Sequence, residues 1–413
     1  MKKNNQTTIV MKFGGTSVGD YERIKNVANR VKEEVLKKNY IIVVVSAMSG
    51  TTNNLIKKVE DITPFYDARE YSAVVSSGEN VTSGLLSLEL QKIGVPARSW
   101  QGWQIPLITS DEYSSARILE ILRENIEKKF SQGMKVAVVS GFQGVSRDNR
   151  ITTLGRGGSD TSAVALAAAF SAERCDIFTD VEGIYTTDPR ICNKARKLEK
   201  ISYEEMLELA SLGAKVLQTR SVSLAMKYKV KLNVLSSFSN HKGTIVSNEE
   251  DIMENNVITG IAYSRNEVKI TLTGIKDQPG IAASIFGTLS KTGINVDMIV
   301  QNISENNFTD MTFSCPQNQI IKAKDALKEA KLNAFLDYKN LIIDDEIAKL
   351  SIVGIGMKSN VGVATKMFEI LSKERINIMV ISTSEIKISV LIKRKYLELA
   401  LQALHDGFEL EKK

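Results

Sequence analysis

TTIVMKFGGTSV (residues 7–18) is a short apolar strand, Thr7 to Phe13, that runs into Gly14-Gly15 with Lys12 just ahead of the pair. Ile24, Val27, Ala28, Val31 and Val35 follow at the spacing of an amphipathic helix. Two glycines between a strand and a helix N-terminus let backbone approach a ligand closely. The helix offers unpaired N–H groups to an anion, and Lys12 adds a positive charge. Taken alone, a plain strand–helix turn accounts for Gly-Gly equally well.

Working outward, Ile41 to Val45 is a continuous β-branched run, as expected of a strand covered on both faces. Val136 to Val139 and Ile177 to Thr179 read the same way, each ahead of a loop rich in Gly, Ser, Thr or Asp. This alternation through the first 240 or so residues predicts an α/β fold: a mostly parallel central sheet with helices on its faces and function at the strand ends. A second glycine loop, TLGRGGSD (Thr153 to Asp160), precedes a small-residue helix expected over Thr161 to Ala172. Successive glycines there can form an anion-binding nest, and Arg156 can grip a carboxylate with its fork. Asp160 reads equally as a helix cap. Neither loop has the GxxxxGK[ST] or GxGxxG spacing, which excludes Walker-type and dinucleotide-binding readings. TDVEGIYTTDPR (Thr179 to Arg190) follows a strand; a turn explains Gly183 and Pro189 but not the density of Asp180, Tyr185, Asp188 and Arg190. SSGE (Ser76 to Glu79) by itself is only a helix start.

The 413 residues carry 54 basic and 48 acidic side chains, for a net charge of +6. Basic residues alternate with acidic ones and are not interleaved with aromatics, so no nucleic-acid surface is expected. Three scattered cysteines (Cys175, Cys192, Cys315) and two histidines argue for a reducing compartment and against a disulfide framework or a structural zinc. The N-terminal apolar stretch is too short for a signal peptide and Ile41 to Val45 too short for a bilayer. A cytoplasmic protein without membrane contact, with no protein-borne metal site, is the expectation.

Composition turns polar over Ser236 to Asn256, where a domain boundary is placed. Beyond it lies an internal repeat. ITLTGIKDQPGIAASIFGTLSKTGINVDMI from Ile270 aligns with LSIVGIGMKSNVGVATKMFEILSKERINIMVI from Leu350. Gly274 matches Gly354, and after a short insertion Gly280, Phe286 and Leu289 match Gly362, Phe368 and Leu371. Each copy reads strand, glycine loop, amphipathic helix, strand, strand, helix, which predicts two small βαββαβ (ferredoxin-like) domains.

The set KFGGTSV, VVSAMS (Val44 to Ser49), SSGE, TLGRGGSD and TDVEGIYTTDPR resembles the aspartate kinases of the amino-acid-kinase superfamily. The repeat resembles the paired ACT domains that follow their catalytic domain. The similarity runs in order from about Ile9 to Leu410 and implies a kinase domain at 1–247, an ACT-like domain at 262–340 and another at 346–413.

The resemblance implies ATP with Mg²⁺, and transfer to the β-carboxylate of L-aspartate. Lys12 would offset charge on the transferring phosphoryl group, with Asp160 organising it. Glu79 would hold the substrate ammonium and Arg156 a carboxylate, with Ser46, Thr52 and Ser159 lining the pocket. Gly14, Gly15, Thr16 and Ser17, then Thr179, Asp180, Tyr185, Asp188, Arg190 and Lys215, would surround ATP alongside Lys12. Lysine, threonine or both would bind the first ACT-like loop at Ile275, Asp277, Gln278, Ile281, Ala282, Asp297 and Gln301. ACT strands pair edge to edge between copies, so a homo-oligomer is implied. One departure is Gln218-Thr219 where many members have His-Pro; Arg220 after it is kept. MENNVITGIAY from Met253 resembles the start of a separate regulatory subunit in some relatives, and reads equally as linker. The alternatives are another amino-acid or carbamate kinase of this fold, against which SSGE with GRGGSD argues, and a non-catalytic amino-acid sensor, against which the intact Lys12, Glu79, Arg156 and Asp160 argue.

Overall fold

The computed structural model describes residues 7–213, 216–251, 257–303, 307–333 and 335–412. Lys215 and Met253 lie outside them. The described chain forms two compact units.

The first unit is built on an eight-stranded sheet. Its order is Lys200–Ser202, Thr244–Ser247, Leu232–Ser236, Arg174–Thr179, Thr8–Phe13, Tyr40–Val45, Val136–Ser140, Ala97–Trp100. All neighbours are parallel except Leu232–Ser236 with Thr244–Ser247. The run Ile41 to Val45 is buried throughout because helices cover both sheet faces. Helix Tyr21–Leu36 turns Ile24, Val27, Ala28 and Val31 into that core, and Asp20 caps it by accepting the Arg23 N–H at 2.9 Å.

The parallel register brings one row of residues to the carboxyl edge. Leu235 is opposite Phe178, Phe178 opposite Phe13, Phe13 opposite Val45 and Val45 opposite Ser140. Phe13 and Phe178 stack at 4.6 Å between ring centroids, so the loops that follow their strands emerge side by side.

The helix expected from Thr161 begins at Gly158 and ends at Ala169. Gly157, at φ 72°, occupies its N-cap, and every residue from Gly158 to Ala167 is buried. Only small side chains fit a helix so enclosed. A second, four-stranded sheet (Ile118–Ile121, Leu107–Thr109, Gln143–Val145, Ile151–Thr153) delivers the TLGRGGSD loop from its last strand.

In the C-terminal unit the two repeats share one six-stranded sheet, in the order Asp297–Ile303, Phe308–Pro316, Gly260–Lys276, Asn340–Val353, Lys387–Lys393, Val380–Thr383. Gly280 and Gly362 both have φ 92° and each opens a helix (Ile281–Lys291, Val363–Lys373), as the repeat requires. The contiguous division at 262–340 and 346–413 differs from the packing in one respect. Gly260–Lys276 is a single strand; its first half pairs with Leu350 to Val353, and Ile258 and Ile261 lie in the core of the second repeat. The first repeat is thus inserted after the opening strand of the second. A strand that continues without a break gives the sequence no mark at the crossing point.

No helix among the described residues is long and apolar enough to cross a membrane. Cys175, Cys192 and Cys315 are all buried and free.

Candidate active site

At the carboxyl edge of the eight-stranded sheet, Lys12 Nζ lies 2.6 Å from Asp160 Oδ1. The lysine is the penultimate residue of strand Thr8–Phe13, and the aspartate sits in the first turn of helix Gly158–Ala169. The side chains are 12% and 10% exposed, so the pair stands at the mouth of the site, largely shielded from water. Of the two glycines that follow the lysine, Gly15 is demanded by space, whereas Gly14 has room for ordinary contact. A Cβ on Gly15 would stand 2.8 Å from the Ala47 carbonyl oxygen, and one on Gly14 would stand 3.5 Å from Lys12 Nζ itself. The loop continues as a short 3₁₀ turn, Gly15–Val18, in which Ser17 Oγ meets Ser237 Oγ at 2.5 Å; Ser237 N–H in turn donates to the Thr179 carbonyl at 2.8 Å. Arg23 Nη1 donates to the carbonyl of Thr16, fixing the loop's outer edge.

Glu79 is the most unusual group in the unit. It is 3% exposed, on the first turn of helix Ser77–Lys92. Oε1 accepts the Ala47 N–H at 3.0 Å, while Oε2 is buried with no hydrogen-bond partner among the described residues. Burial pushes this carboxyl up to about 7, although the Ala47 N–H works in the opposite direction. The SSGE residues explain how a helix comes so close. A Cβ on Gly78 would stand 2.7 Å from the Ala47 Cβ, so only glycine lets the helix press on the loop after Val45. Ser140 stitches that helix to the sheet, with Ser83 Oγ at 2.9 Å. Ser46, whose N–H donates to the Phe13 carbonyl at 3.1 Å, and Thr52, in helix Thr51–Ile62, flank this region in the chain.

In the second glycine loop, Gly155 and Gly157 have φ of 77° and 72°, the left-handed region that favours glycine. Arg156 between them is exposed, and Ser159 is buried against Gly141, whose Cβ would stand 2.8 Å from Ser159 Oγ. The departure at Gln218 fits here. Its side chain fills the space beside Gly157, 1.8 Å from where a Cβ would be. Arg220 donates to the carbonyls of Leu154 (2.9 Å) and Ala116 (2.7 Å), so the loop is held without the proline.

Thr179 Oγ1 donates to Asp180 Oδ1 at 3.2 Å at the end of its strand. Tyr185, Asp188 and Arg190 belong instead to a segment, Tyr185–Arg196, that packs within the C-terminal unit. There Asp188 Oδ2 is 2.7 Å from Arg190 Nη2 and accepts the Tyr263 hydroxyl at 2.9 Å; Arg190 first, then Tyr263, hold that carboxyl low.

Of the residues singled out in the first ACT-like loop, Asp277, Gln278 and Gln301 are exposed, while Ile275 and Ile281 lie in the core of the first repeat with Ala282 beside them. Asp297 does not stand alone: its Oδ2 is paired with Lys349 Nζ, from a side chain only 6% exposed.

The contacts that sequence reasoning missed are Ala47 N–H on Glu79, Gly141 behind Ser159 and Gln218 beneath Gly157. Arg220 was the one visible signal for the last of these.

A buried carboxylate oxygen without a partner, a fork-bearing arginine between two glycines and a lysine–aspartate pair at the same sheet edge describe a small-molecule kinase. Residues 7–236 match the amino acid kinase family, and residues 258–330 and 350–408 match the ACT domain. The chain is 52% identical to the aspartate kinase of Pseudomonas putida over 98% of both chains, and 48% identical to the aspartokinase of Helicobacter pylori over 98% of this chain and 99% of that one. Its fold superposes on E. coli aspartokinase III in complex with aspartate and ADP (R-state) with a TM-score of 0.80 at 26% identity, covering 97% and 99% of the two chains. The same enzyme with lysine and aspartate (T-state) gives 0.76, also at 26% identity, with the same coverage. The chain belongs to the aspartate kinase family: an amino-acid-kinase unit followed by ACT domains, and an ATP-dependent phosphotransferase acting on a carboxyl group.

Proposed function

We propose that the protein phosphorylates the β-carboxylate of L-aspartate with ATP, giving 4-phospho-L-aspartate, the activated acid that begins lysine, threonine and methionine synthesis. The observation that carries this is Glu79 Oε2, a buried acceptor without a partner among the described residues, which an α-ammonium would satisfy. Arg156 then takes a carboxylate, and Ser46, Thr52 and Ser159 close the pocket around an amino acid carrying two acids.

The nucleophile is an ionised carboxylate, so no base is needed. Lys12 meets charge that develops on the transferring phosphoryl group, and Asp160 keeps its ammonium in place. Gly14 to Ser17, Thr179 and Asp180, Tyr185, Asp188 and Arg190, with Lys215, bind the nucleotide. Mg²⁺ arrives on it, held by phosphate oxygens and water; no group of three or more His, Cys, Asp or Glu among the described residues is placed to hold a metal, and this mode of binding asks for none. The test is ATP-dependent hydroxamate formation. Aspartate is the expected acceptor; phosphorylation of glutamate or carbamate with aspartate untouched rejects the assignment.

The ACT pair is the regulatory element, sensing lysine, threonine or both in a cytoplasmic homo-oligomer. The two end strands of its sheet, Asp297–Ile303 and Val380–Thr383, each have one edge without a ladder partner among the described residues, which a second copy would cover. Because Lys349 already holds Asp297, the exposed Asp277 is the better-placed sensor of an effector ammonium. Asp277→Ala is expected to raise the inhibitory concentration about tenfold, the scale of one charge-assisted contact, and to leave uninhibited activity intact. Titration of both proteins with each amino acid, singly and jointly, checks this. If neither amino acid changes the activity or melting temperature of the parent, the C-terminal unit is not the sensor.

A further inference from the structure

The segment Tyr185–Arg196 interrupts the kinase chain, yet it is built into the C-terminal unit. Cys192, 3% exposed, lies in the apolar core of the second repeat. The carbonyl of Thr186 accepts the N–H of Ile261, in the opening strand of that repeat, at 2.7 Å. Thr186 Oγ1 is 3.0 Å from Nε2 of His405, a fully buried imidazole on helix Leu397–Gly407. Gln402, on the same helix, donates to the Ile191 carbonyl at 2.8 Å. Tyr263 donates to Asp188, the carboxylate that also grips Arg190. A surface loop needs none of this. Its backbone is anchored at both ends of the turn, and one hydroxyl from the regulatory unit selects the rotamer of an acid proposed to meet ATP.

We infer that Tyr263 and His405 are positioning residues for nucleotide binding, through which the second repeat sets the conformation of the segment bearing Tyr185, Asp188 and Arg190. This rests on the proposed nucleotide role of those three residues. The Tyr263 hydroxyl holds Asp188 from one side and His405 holds Thr186 from the other. A shift of the opening strand therefore moves the Tyr263 anchor, and a shift of helix Leu397–Gly407 moves the His405 anchor. A ligand that favours a different arrangement of the ACT pair acts first on ATP affinity, and only through it on rate.

The experiment is calorimetric titration of the full chain with Mg-ADP, beside steady-state KM values for ATP and aspartate. Tyr263→Phe keeps the ring and removes only the hydroxyl. It is expected to weaken Mg-ADP binding about three- to tenfold, the scale of one hydrogen bond, and to raise the ATP KM alike while leaving the aspartate KM unchanged. His405→Leu should do the same and His405→Gln, which restores a hydrogen-bonding group, should recover most of the loss. Unchanged Mg-ADP affinity in Tyr263→Phe overturns the inference, and so does an equal rise in the aspartate KM, which marks general loosening. Mg-ADP binding needs no turnover, so it decides this point even if aspartate proves not to be the acceptor; that result counts against the proposed substrate alone.

Discussion

Lys12→Ala lowers kcat by about 10²–10³ or more, the scale for deleting one preorganised donor to a developing charge, with little change in the aspartate KM. The ammonium is held 2.6 Å from Asp160 in a site that excludes most water, where its interaction with a phosphoryl group is screened little. An interaction realised mainly in the transition state appears in kcat and not in KM. Alanine also leaves Asp160 without its cation, so a folding loss must be separated from a chemical one. The double variant Lys12→Ala/Asp160→Asn does so: it should recover the melting temperature of the parent and none of the activity. Arg156→Ala is the contrasting case. Its guanidinium is exposed on the loop, and in its proposed role it grips a ground-state carboxylate, so the loss is expected to fall on the aspartate KM. Parental kcat in Lys12→Ala, measured at saturating ATP and aspartate, removes Lys12 from the chemistry.

What could be read in the sequence was whatever is encoded locally. Strand–helix alternation, the glycine pair after Phe13 and the repeat from Ile270 each lie within a few tens of residues, and the fold follows from them. Lys12 and Asp160 each mark a strand–helix junction, but only the first lies in the parallel sheet; Asp160 follows Ile151–Thr153 of the smaller sheet, so their 2.6 Å approach is seen only in the fold. Relations that depend on two remote surfaces touching were not legible. Nothing near Ala47 says that its N–H will hold Glu79, and Gly78 reads as a helix start until the 2.7 Å approach is seen. The three-residue strands of the small sheet carry too little pattern to declare themselves. The same holds for Tyr185–Arg196: only Ile191 and Cys192 show that this polar stretch packs on a core formed mostly by the last 160 or so residues.

In its proposed role Glu79 would couple substrate recognition to pH and to stability in opposite senses. Its carboxyl titrates near 7 in the folded chain because burial penalises the charged form, while in the unfolded chain it loses its proton near 4.5. The folded state therefore binds the proton more tightly. Glu79 does not oppose folding below about pH 4.5 and opposes it increasingly as pH rises through 7, to a limit of about 3 kcal/mol. Glu79→Gln removes that titration. The free variant should melt several degrees above the parent near pH 8 and at about the same temperature near pH 5. Function runs the other way. An ammonium needs the ionised carboxylate, so kcat/KM for aspartate should climb with pH to a plateau above about 7, and Glu79→Gln should raise the aspartate KM about 10²-fold or more and flatten the profile. On the proposed reading, bound aspartate would supply the missing partner of Oε2 and lower the carboxyl's affinity for its proton. Calorimetric titration in buffers of different ionisation enthalpy should show close to one proton released per aspartate near pH 6 and almost none near pH 8.5. A parental aspartate KM in Glu79→Gln, with the pH profile of kcat/KM unaltered, would falsify the assignment of this carboxylate to the ammonium and leave its buried oxygen without a role.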